Sequence, residues 1–490
     1  MSLILAIDQS TSATKAVLFD ASGKVLDKAL REHRQIYPRP GWVEHDAEEI
    51  WQNVLAVVRE IATRNRTKIS QIAALSITNQ RETILVFDRK TGKPIHNAIV
   101  WQDRRGDAIC RKLRRYEALV RGKTGLKIDT YFSASKLKWL ITEKPRIAAK
   151  LKSGDAVIGT IDSYLIHRLT GGKVFATDFT NASRTLLFDI GKLRWDEKLC
   201  RLFGVPTHAL PEVRESSAHF GETDADGLLP KRLPIIGVMG DSQASLFAQC
   251  CFEPGTAKAT FGTGTSVLLN IGNKFRPTTK NSVTALAWVL RGKPTYASEG
   301  IINFSAATIA WLQNQLGLIA SADEVEKLAR SVESNGGVYL VPAFAGLSAP
   351  YWSPDARAAI LGMSGHTRKE HIVRAAVEYI AYQIRDVLDM MRADVKLKLQ
   401  NLHADGGPTR NKFLMQFTAD ITRAELRVSE VAESSAWGAA MNGLLGLGVC
   451  PSTAGFAKSR RGGTIFRPRM NAAYAKKLHN DWLAAVQRIL

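Results

Sequence analysis

Residues 3–20 read LILAIDQSTSATKAVLFD, in which two apolar runs, 3–8 and 16–20, enclose the polar segment QSTSATK. Short apolar runs separated by small and hydroxyl residues read as strand, tight turn, strand. Asp20, Ser22 and Gly23 make a second turn into residues 24–30, so the chain opens as an antiparallel meander. Ile50, Trp51, Val54, Val57, Val58 and Ile61 then recur at helical spacing across residues 47–63, and residues 72–77 and 84–88 read as further strands. The apolar start meets Asp8 at once and has no basic leader. It is too short for a signal sequence and reads as a buried first strand.

The pattern recurs in the second half. Residues 257–261 lead into GTGTS (262–266) and then 267–271, again strand, glycine/hydroxyl turn, strand. Residues 283–290 and 295–298 extend that sheet. A long helix follows, with Thr367 and Glu370 as its expected capping box and an apolar stripe through Ile372, Val373, Ala376, Ile380, Ile384, Val387, Leu388 and Met391. At 490 residues the chain exceeds the size at which one core stops growing. The expectation is two similar α/β domains, residues 1–248 and 249–490, joined near 245–255, with the functional cleft between them.

Hydrophobic residues make up 45% and charged residues 23%, as in soluble globular proteins. Cys110, Cys200, Cys250, Cys251 and Cys450 show neither a disulfide framework nor zinc spacing and read as reduced thiols of a reducing compartment. No run of about 18 apolar residues exists, so no membrane span is expected. The net charge of +21 raises a nucleic-acid partner as an alternative, with basic stretches at 111–115 and 458–469. The positives are nevertheless spread along the chain and mixed with acids, without a nucleic-acid module. The charge reads as a basic surface that favours anionic substrates and products.

Chemistry concentrates at the turns. In the first, Asp8 to Lys15, small residues let backbone N–H groups approach an anion. Lys15 can neutralise phosphate charge, and Asp8 suits an outer-shell magnesium ligand. No G-x-x-x-x-G-K-[ST] occurs here, so this is not a P-loop; the plain alternative is an ordinary Ser/Thr-rich hairpin. Gly262 to Ser266 has the same chemistry. Asp405-Gly406-Gly407, followed by Asn411, can seat a nucleotide, although a lone GG is usually just a turn. Asp241, at the end of the apolar stretch 235–240, either accepts a proton from an attacking hydroxyl or caps the next helix. Arg81 and Glu82 offer a donor and an acceptor for vicinal hydroxyls, or else form a solvated pair. Trp101 and Tyr131 are candidate walls for a small carbon skeleton, or else core.

Together these residues resemble the FGGY carbohydrate kinases, and within them the glycerol kinases. The likeness runs through PGWVEHDAEEIW (40–51), ITNQRET (77–83), NAIVWQDRR (97–105), TDFTNASRTLLFDI (177–190), CFEPGTAKATFGTG (251–264), GGVYLVPAFAGLSAPYW (336–352) and DGGPTRNKFLMQF (405–417). The resemblance implies a duplicated actin-like (ribonuclease H-like) α/β fold with ATP and Mg2+ in the interdomain cleft. By that likeness Arg81, Glu82, Tyr131 and Asp241 hold the polyol, with Trp101 on its carbon side. Thr11, Ser12 and Ala13 meet the transferred phosphoryl, Lys15 stands where the family has arginine, and Thr263, Gly407 and Asn411 line the nucleotide. Magnesium is held through water by Asp8 and Asp241. A cytoplasmic homodimer or homotetramer phosphorylating glycerol is implied. The sequence departs from the glycerol kinases at DQSTSATK (usually DQGTTSSR), at Ser242 (usually glutamine) and at Ser266 (usually phenylalanine). Losing an aromatic wall opens space, so a four- or five-carbon polyol or ketose stays open as substrate. A protein-binding ATPase on the same fold also stays open, with Arg81-Glu82 and Tyr131 against it.

Overall fold

A computed structural model describes residues 2–277, 282–353, 355–431, 433–459 and 462–490; Arg460 and Arg461 of the second basic stretch lie outside the described residues. Strand β1 (Leu3–Gln9) is buried throughout and pairs antiparallel with β2 (Ala13–Phe19), which pairs antiparallel with β3 (Val25–Glu32). Helix α1 (Ala47–Arg64), capped by Asp46, lays its apolar face on β2 and β3. Strand β4 (Ile72–Asn79) joins β1 in parallel. After an intervening region come β5 (His219–Thr223), β6 (Leu233–Gly240) and helix α2 (Asp241–Ala248). The first sheet runs β5-β6-β4-β1-β2-β3.

The second sheet repeats this plan. Strands β7 (Thr256–Phe261), β8 (Thr265–Gly272), β9 (Val283–Leu290) and β10 (Lys293–Ile302) form antiparallel pairs. Helix α3 (Lys369–Val395) leads to β11 (Asn401–Asp405), then helix α4 (Lys412–Thr422) and β12 (Leu426–Val428). Both strands are parallel to β7. Helix α5 (Ser434–Gly446) and β13 (Thr464–Phe466) complete the lobe, with strand order β9-β10-β8-β7-β11-β12-β13. In each lobe a run of antiparallel strands, β1-β2-β3 in the first and β7-β8-β10-β9 in the second, is flanked beside its first strand by two parallel strands. This shared order is the duplicated two-domain fold expected from the two hairpins.

Helix α5 crosses back. It packs on α2 and on β6, β4 and β1 of the first sheet, and its Trp437 ring lies 5.3 Å from that of Phe19. One apolar cluster therefore joins both lobes, from Ile4 and Val17 to Leu268 and Met441.

Two local expectations need correction. The polar segment after β1 is mostly strand. Ser10 closes the turn by donating its N–H to the Ala13 carbonyl at 2.9 Å, with its Oγ on the same oxygen at 2.9 Å. Pairing resumes at Ala13, so Asp8 faces Lys15 across the hairpin. The Thr367/Glu370 capping box does not form. Thr367 Oγ1 is taken by the Ser364 N–H at 2.9 Å, the helix is capped at Arg368, and His371 Nδ1 accepts from the Arg368 N–H at 3.0 Å.

Candidate active site

The first loop is braced from below. Gln35 Nε2 donates to the Thr11 carbonyl at 2.8 Å, and Gln80 Nε2 donates to the Ser10 carbonyl at 3.2 Å. Ser12 at the tip is exposed while Ala13 is buried. Lys15 Nζ lies 3.6 Å from Asp8 Oδ2 and 2.9 Å from Glu433 Oε2, and Glu433 Oε1 takes Lys28 Nζ at 2.9 Å. Burial pushes the Asp8 carboxyl up to about 6, with Lys15 opposing and the charges of Asp241 and Glu433 adding to it. Burial disfavours the charge on Lys15, but Asp8 and Glu433 outweigh it and raise the ammonium above its ordinary range.

From this loop the expected residues follow in contact. Trp101 Nε1 donates to Thr11 Oγ1 at 2.9 Å, and the rings of Trp101 and Tyr131 lie 5.2 Å apart. Both side chains are only half-buried; Tyr131 packs on the edge of an apolar cluster, and the pair forms an aromatic wall at its rim. Burial first, then the charge of Glu82, lifts the Tyr131 phenol well above its usual range, so it stays a neutral donor. Next to this wall, Arg81 Nε lies 3.1 Å from Asp241 Oδ1. The Asp241 side chain remains 36% exposed, open to a substrate on its other face. It is the first residue of α2, behind the cap position at Gly240. The Gly240 N–H is held by Thr180 Oγ1 at 2.8 Å, and Asn181 Oδ1 accepts from Asn79 Nδ2 at 3.0 Å. The conspicuous TDFTNASRT stretch is thus a bracket fixing the ends of β4 and β6.

Sequence reasoning missed the ions behind Arg81. Arg184 Nε reaches Glu82 Oε1 at 2.6 Å, Arg184 Nη1 lies 2.6 Å from Glu299 Oε2, and Arg81 Nη2 donates to Glu299 Oε1 at 2.9 Å. All four side chains are buried. Burial pushes the Glu82 carboxyl up, with Arg184 and Arg81 opposing. Burial would also raise Glu299, yet Arg184 and Arg81 overcome it and hold the carboxyl down at about 2. Glu82 also adopts a left-handed backbone, φ 63°, of the kind stored where surroundings over-determine a residue. Arg184 lay inside a quoted motif without a role. Glu299 was marked only as a charge just past the expected strand 295–298.

Across the cleft, the Gly262 carbonyl accepts from Ala306 N–H at 3.0 Å and the Thr263 carbonyl from Ser305 N–H at 2.8 Å, docking the second loop on the following helix. Gly406 is dictated by geometry: φ is +99° and a Cβ there would sit 1.9 Å from the Phe261 carbonyl. The end of β11 and the tip of β7 therefore touch backbone to backbone, while a Cβ on Gly407 would meet open space. Asn411 caps α4, its Oδ1 accepting from the Leu414 N–H at 2.9 Å. Gly407 and Asn411 follow the end of β11, which pairs with β7 two residues before Thr263's own loop begins at Gly262. Ser242 of α2 and Ser266 of β8 meet with their Oγ atoms 3.5 Å apart.

Among the described residues no group of three or more His, Cys, Asp or Glu is placed to hold a metal ion. Asp8 and Asp241 are near enough for the charge of one to raise the other, a donor set that suits magnesium, which takes one or two carboxylates plus phosphate and water.

The chain matches the N-terminal domain of the FGGY family of carbohydrate kinases over residues 3–248 and the C-terminal domain over residues 257–447. It is 46% identical to glycerol kinase 1 of Thermotoga maritima over 489 residues, 99% of each chain. It is also 46% identical to a glycerol kinase of Carboxydothermus hydrogenoformans over 487 residues, 99% of this chain and 97% of that one. The crystal structure of Plasmodium falciparum glycerol kinase with ADP superposes with a TM-score of 0.94 at 38% identity, covering 100% of this chain and 98% of that one. A ligand-bound xylulose kinase from Lactobacillus acidophilus, at 20% identity and a TM-score of 0.90 over 100% and 98% of the two chains, shares the fold. The protein belongs to the FGGY family of carbohydrate kinases.

Proposed function

We propose that the protein transfers the γ-phosphoryl group of ATP to a terminal hydroxyl of glycerol, giving glycerol 3-phosphate. The observation that carries this is Asp241: 36% exposed, 3.1 Å from Arg81, and close enough to Asp8 at the foot of the braced loop for its charge to be felt there. In this reading Arg81, Glu82 and Tyr131 bind the glycerol hydroxyls and Trp101 packs on its carbons. Asp241 takes the proton of the attacking hydroxyl. Thr11, Ser12, the Ala13 N–H and Lys15 receive the phosphoryl, and Thr263, Gly407 and Asn411 line the nucleotide. Mg2+, held through water by Asp8 and Asp241, would spread charge over the phosphates. Such transfer depends on positioning and electrostatics, so exclusion of water by both lobes matters. The division of labour follows the chain, with residues 1–248 taking polyol and phosphoryl and residues 249–490 the nucleotide. By likeness to its relatives we read the enzyme as a cytoplasmic homodimer or homotetramer; a monomer in sedimentation analysis would refute the assembly.

Asp241→Asn is expected to lower kcat at least about 100-fold, the usual size of a general-base loss. Near-normal turnover would remove Asp241 from that role. A second reading, a four- or five-carbon polyol or ketose, is favoured by the Ser242 and Ser266 hydroxyls, which meet 3.5 Å apart at positions where the glycerol kinases the sequence resembles usually have glutamine and phenylalanine. A coupled ADP-release assay across glycerol, erythritol, xylitol, xylulose and ribulose decides between them by the highest kcat/KM.

A further inference from the structure

Arg81 and Glu82 belong to the first lobe, yet the second lobe reaches Arg81 directly and Glu82 through Arg184. Each nitrogen of the Arg81 guanidinium has its own neighbour: Nε near Asp241 at 3.1 Å, Nη1 donating to Gln243 Oε1 at 3.2 Å, and Nη2 donating to Glu299 Oε1 at 2.9 Å. Glu82 is held by Arg184 Nε at 2.6 Å, and Arg184 in turn by Glu299 Oε2 at 2.6 Å. Glu299 alone in this chain of ions comes from the second lobe. Its strand β10 is locked on both edges, with Glu299 opposite Leu268 of β8 and Val283 of β9. The next residue, Gly300, lies so close to α3 that a Cβ would sit 2.5 Å from Val387. A rigid element thus presents one carboxylate to two guanidinium groups of the opposite lobe.

We propose that Glu299 is a positioning residue for polyol binding: it fixes the Arg81 guanidinium directly and the Glu82 carboxylate through Arg184, so that the polyol half-site is complete only when both lobes are in place. Arg81 Nε, Arg184 Nη1 and Nη2, and Glu299 Oε2 are buried without an aligned hydrogen-bond partner; the Arg184–Glu299 contact is close but misaligned. Arg81 Nε still has Asp241 at 3.1 Å and Arg184 Nη1 still has Glu299 Oε2 at 2.6 Å, so the cluster is held by charge more than by aligned hydrogen bonds, and the Glu299 carboxylate is what orients both guanidinium groups. Without Glu299, Arg81 has only Gln243 and Asp241 to lean on and turns toward Asp241, across the space the substrate hydroxyl needs.

The inference rests on reading Arg81 and Glu82 as polyol contacts, and the experiment separates the two. Steady-state kinetics with glycerol and ATP are run on the full chain, on Glu299→Gln, Glu299→Asp and Arg81→Ala. Glu299→Gln is expected to raise KM for glycerol at least about tenfold, since small misplacements of positioning groups cost orders of magnitude. KM for ATP should stay within about twofold, because the nucleotide wall is untouched. Glu299→Asp keeps the charge, shortens the reach by one methylene and recovers part of the loss; should the glutamine variant not fold, it carries the same test. An unchanged glycerol KM in the folded Glu299 variants, or both KM values rising together as general loosening would cause, overturns the proposal. If Arg81→Ala also leaves the glycerol KM unchanged, the polyol reading itself falls. If Arg81→Ala raises it and the Glu299 variants do not, only this inference fails.

Discussion

His45 lies fully buried under the first loop, with its Nε2 2.8 Å from Gln35 Oε1 and its Nδ1 3.4 Å from Gln80 Nε2. The glutamine oxygen must accept and the amide must donate, so the ring is the neutral tautomer protonated at Nε2. Burial first, and then the adjoining His33, lowers its pKa to about 3, and burial lowers His33 as well. In the unfolded chain a histidine titrates near 6.5. Between these values the unfolded state binds more protons, so stability is present above about 6.5 and is lost as pH falls toward 3. Acidification from pH 7.5 to 5 should cost about 2 kcal/mol through His45 alone, measured by chemical denaturation, and His45→Gln should flatten that slope. A flat profile in the wild type would refute the assignment. Neither this nor the ion cluster was legible in the sequence. His45 stood in a motif and Glu299 just past an expected strand, but burial of a polar group depends on what the rest of the chain brings to it. Arg81, Glu82, Trp101, Tyr131 and Asp241 could be picked out because they stand at strand ends and turns, where side chains face a cleft.

Helix α2 starts at Asp241 and runs between the lobes. Four residues on, Ser245 Oγ donates to Asp405 Oδ2 at 2.7 Å, where β11 ends beside Gly406. Asp405 is buried, and its other oxygen has no hydrogen-bond partner. The helix that presents the proposed base is therefore pinned to the strand that leads into the proposed nucleotide loop. Ser245→Ala strips a donor from a buried carboxylate and is expected to destabilise the protein by about 1–3 kcal/mol. A loss below about 0.5 kcal/mol in denaturant titration, the size of an inert surface change, would show that the link is idle. At this scale the sequence reads well. Apolar runs and helical spacing located β1 to β4, α1 and the β7–β8 hairpin, because buried strands and amphipathic helices write their periods into the chain. The turn after β1 and the cap of α3 were misplaced. Both hang on which neighbour a single hydroxyl chooses, Ala13 for Ser10 and Ser364 for Thr367, and periodicity carries no trace of that choice.

The two lobes are tied at several points besides the ion cluster: Lys127 Nζ sits 3.0 Å from the ring centre of Trp352, and α5 packs on the first sheet. The duplicated design shows in the sequence as two hairpins, but the return of α5 does not, since an apolar helix does not say which sheet it covers. That return brings Glu433, at the start of α5, onto Lys15 and Lys28. Lys15 is the cation of the first loop, so a phosphate binding there as proposed must share or displace a carboxylate already seated on it. The Glu433 side chain is 11% exposed and its two lysine partners 25% and 48%; solvent reaches the lysines, and the competition is modest. Pairs of this kind are worth roughly 0.2–1 kcal/mol. Glu433→Gln should therefore tighten ADP binding by about 1.4- to fivefold, read by calorimetry. The gain should shrink as salt rises, because screening weakens both the pair and the repulsion between carboxylate and phosphate. If the variant instead binds ADP more weakly, Glu433 does not oppose the phosphate but holds Lys15 in place for it.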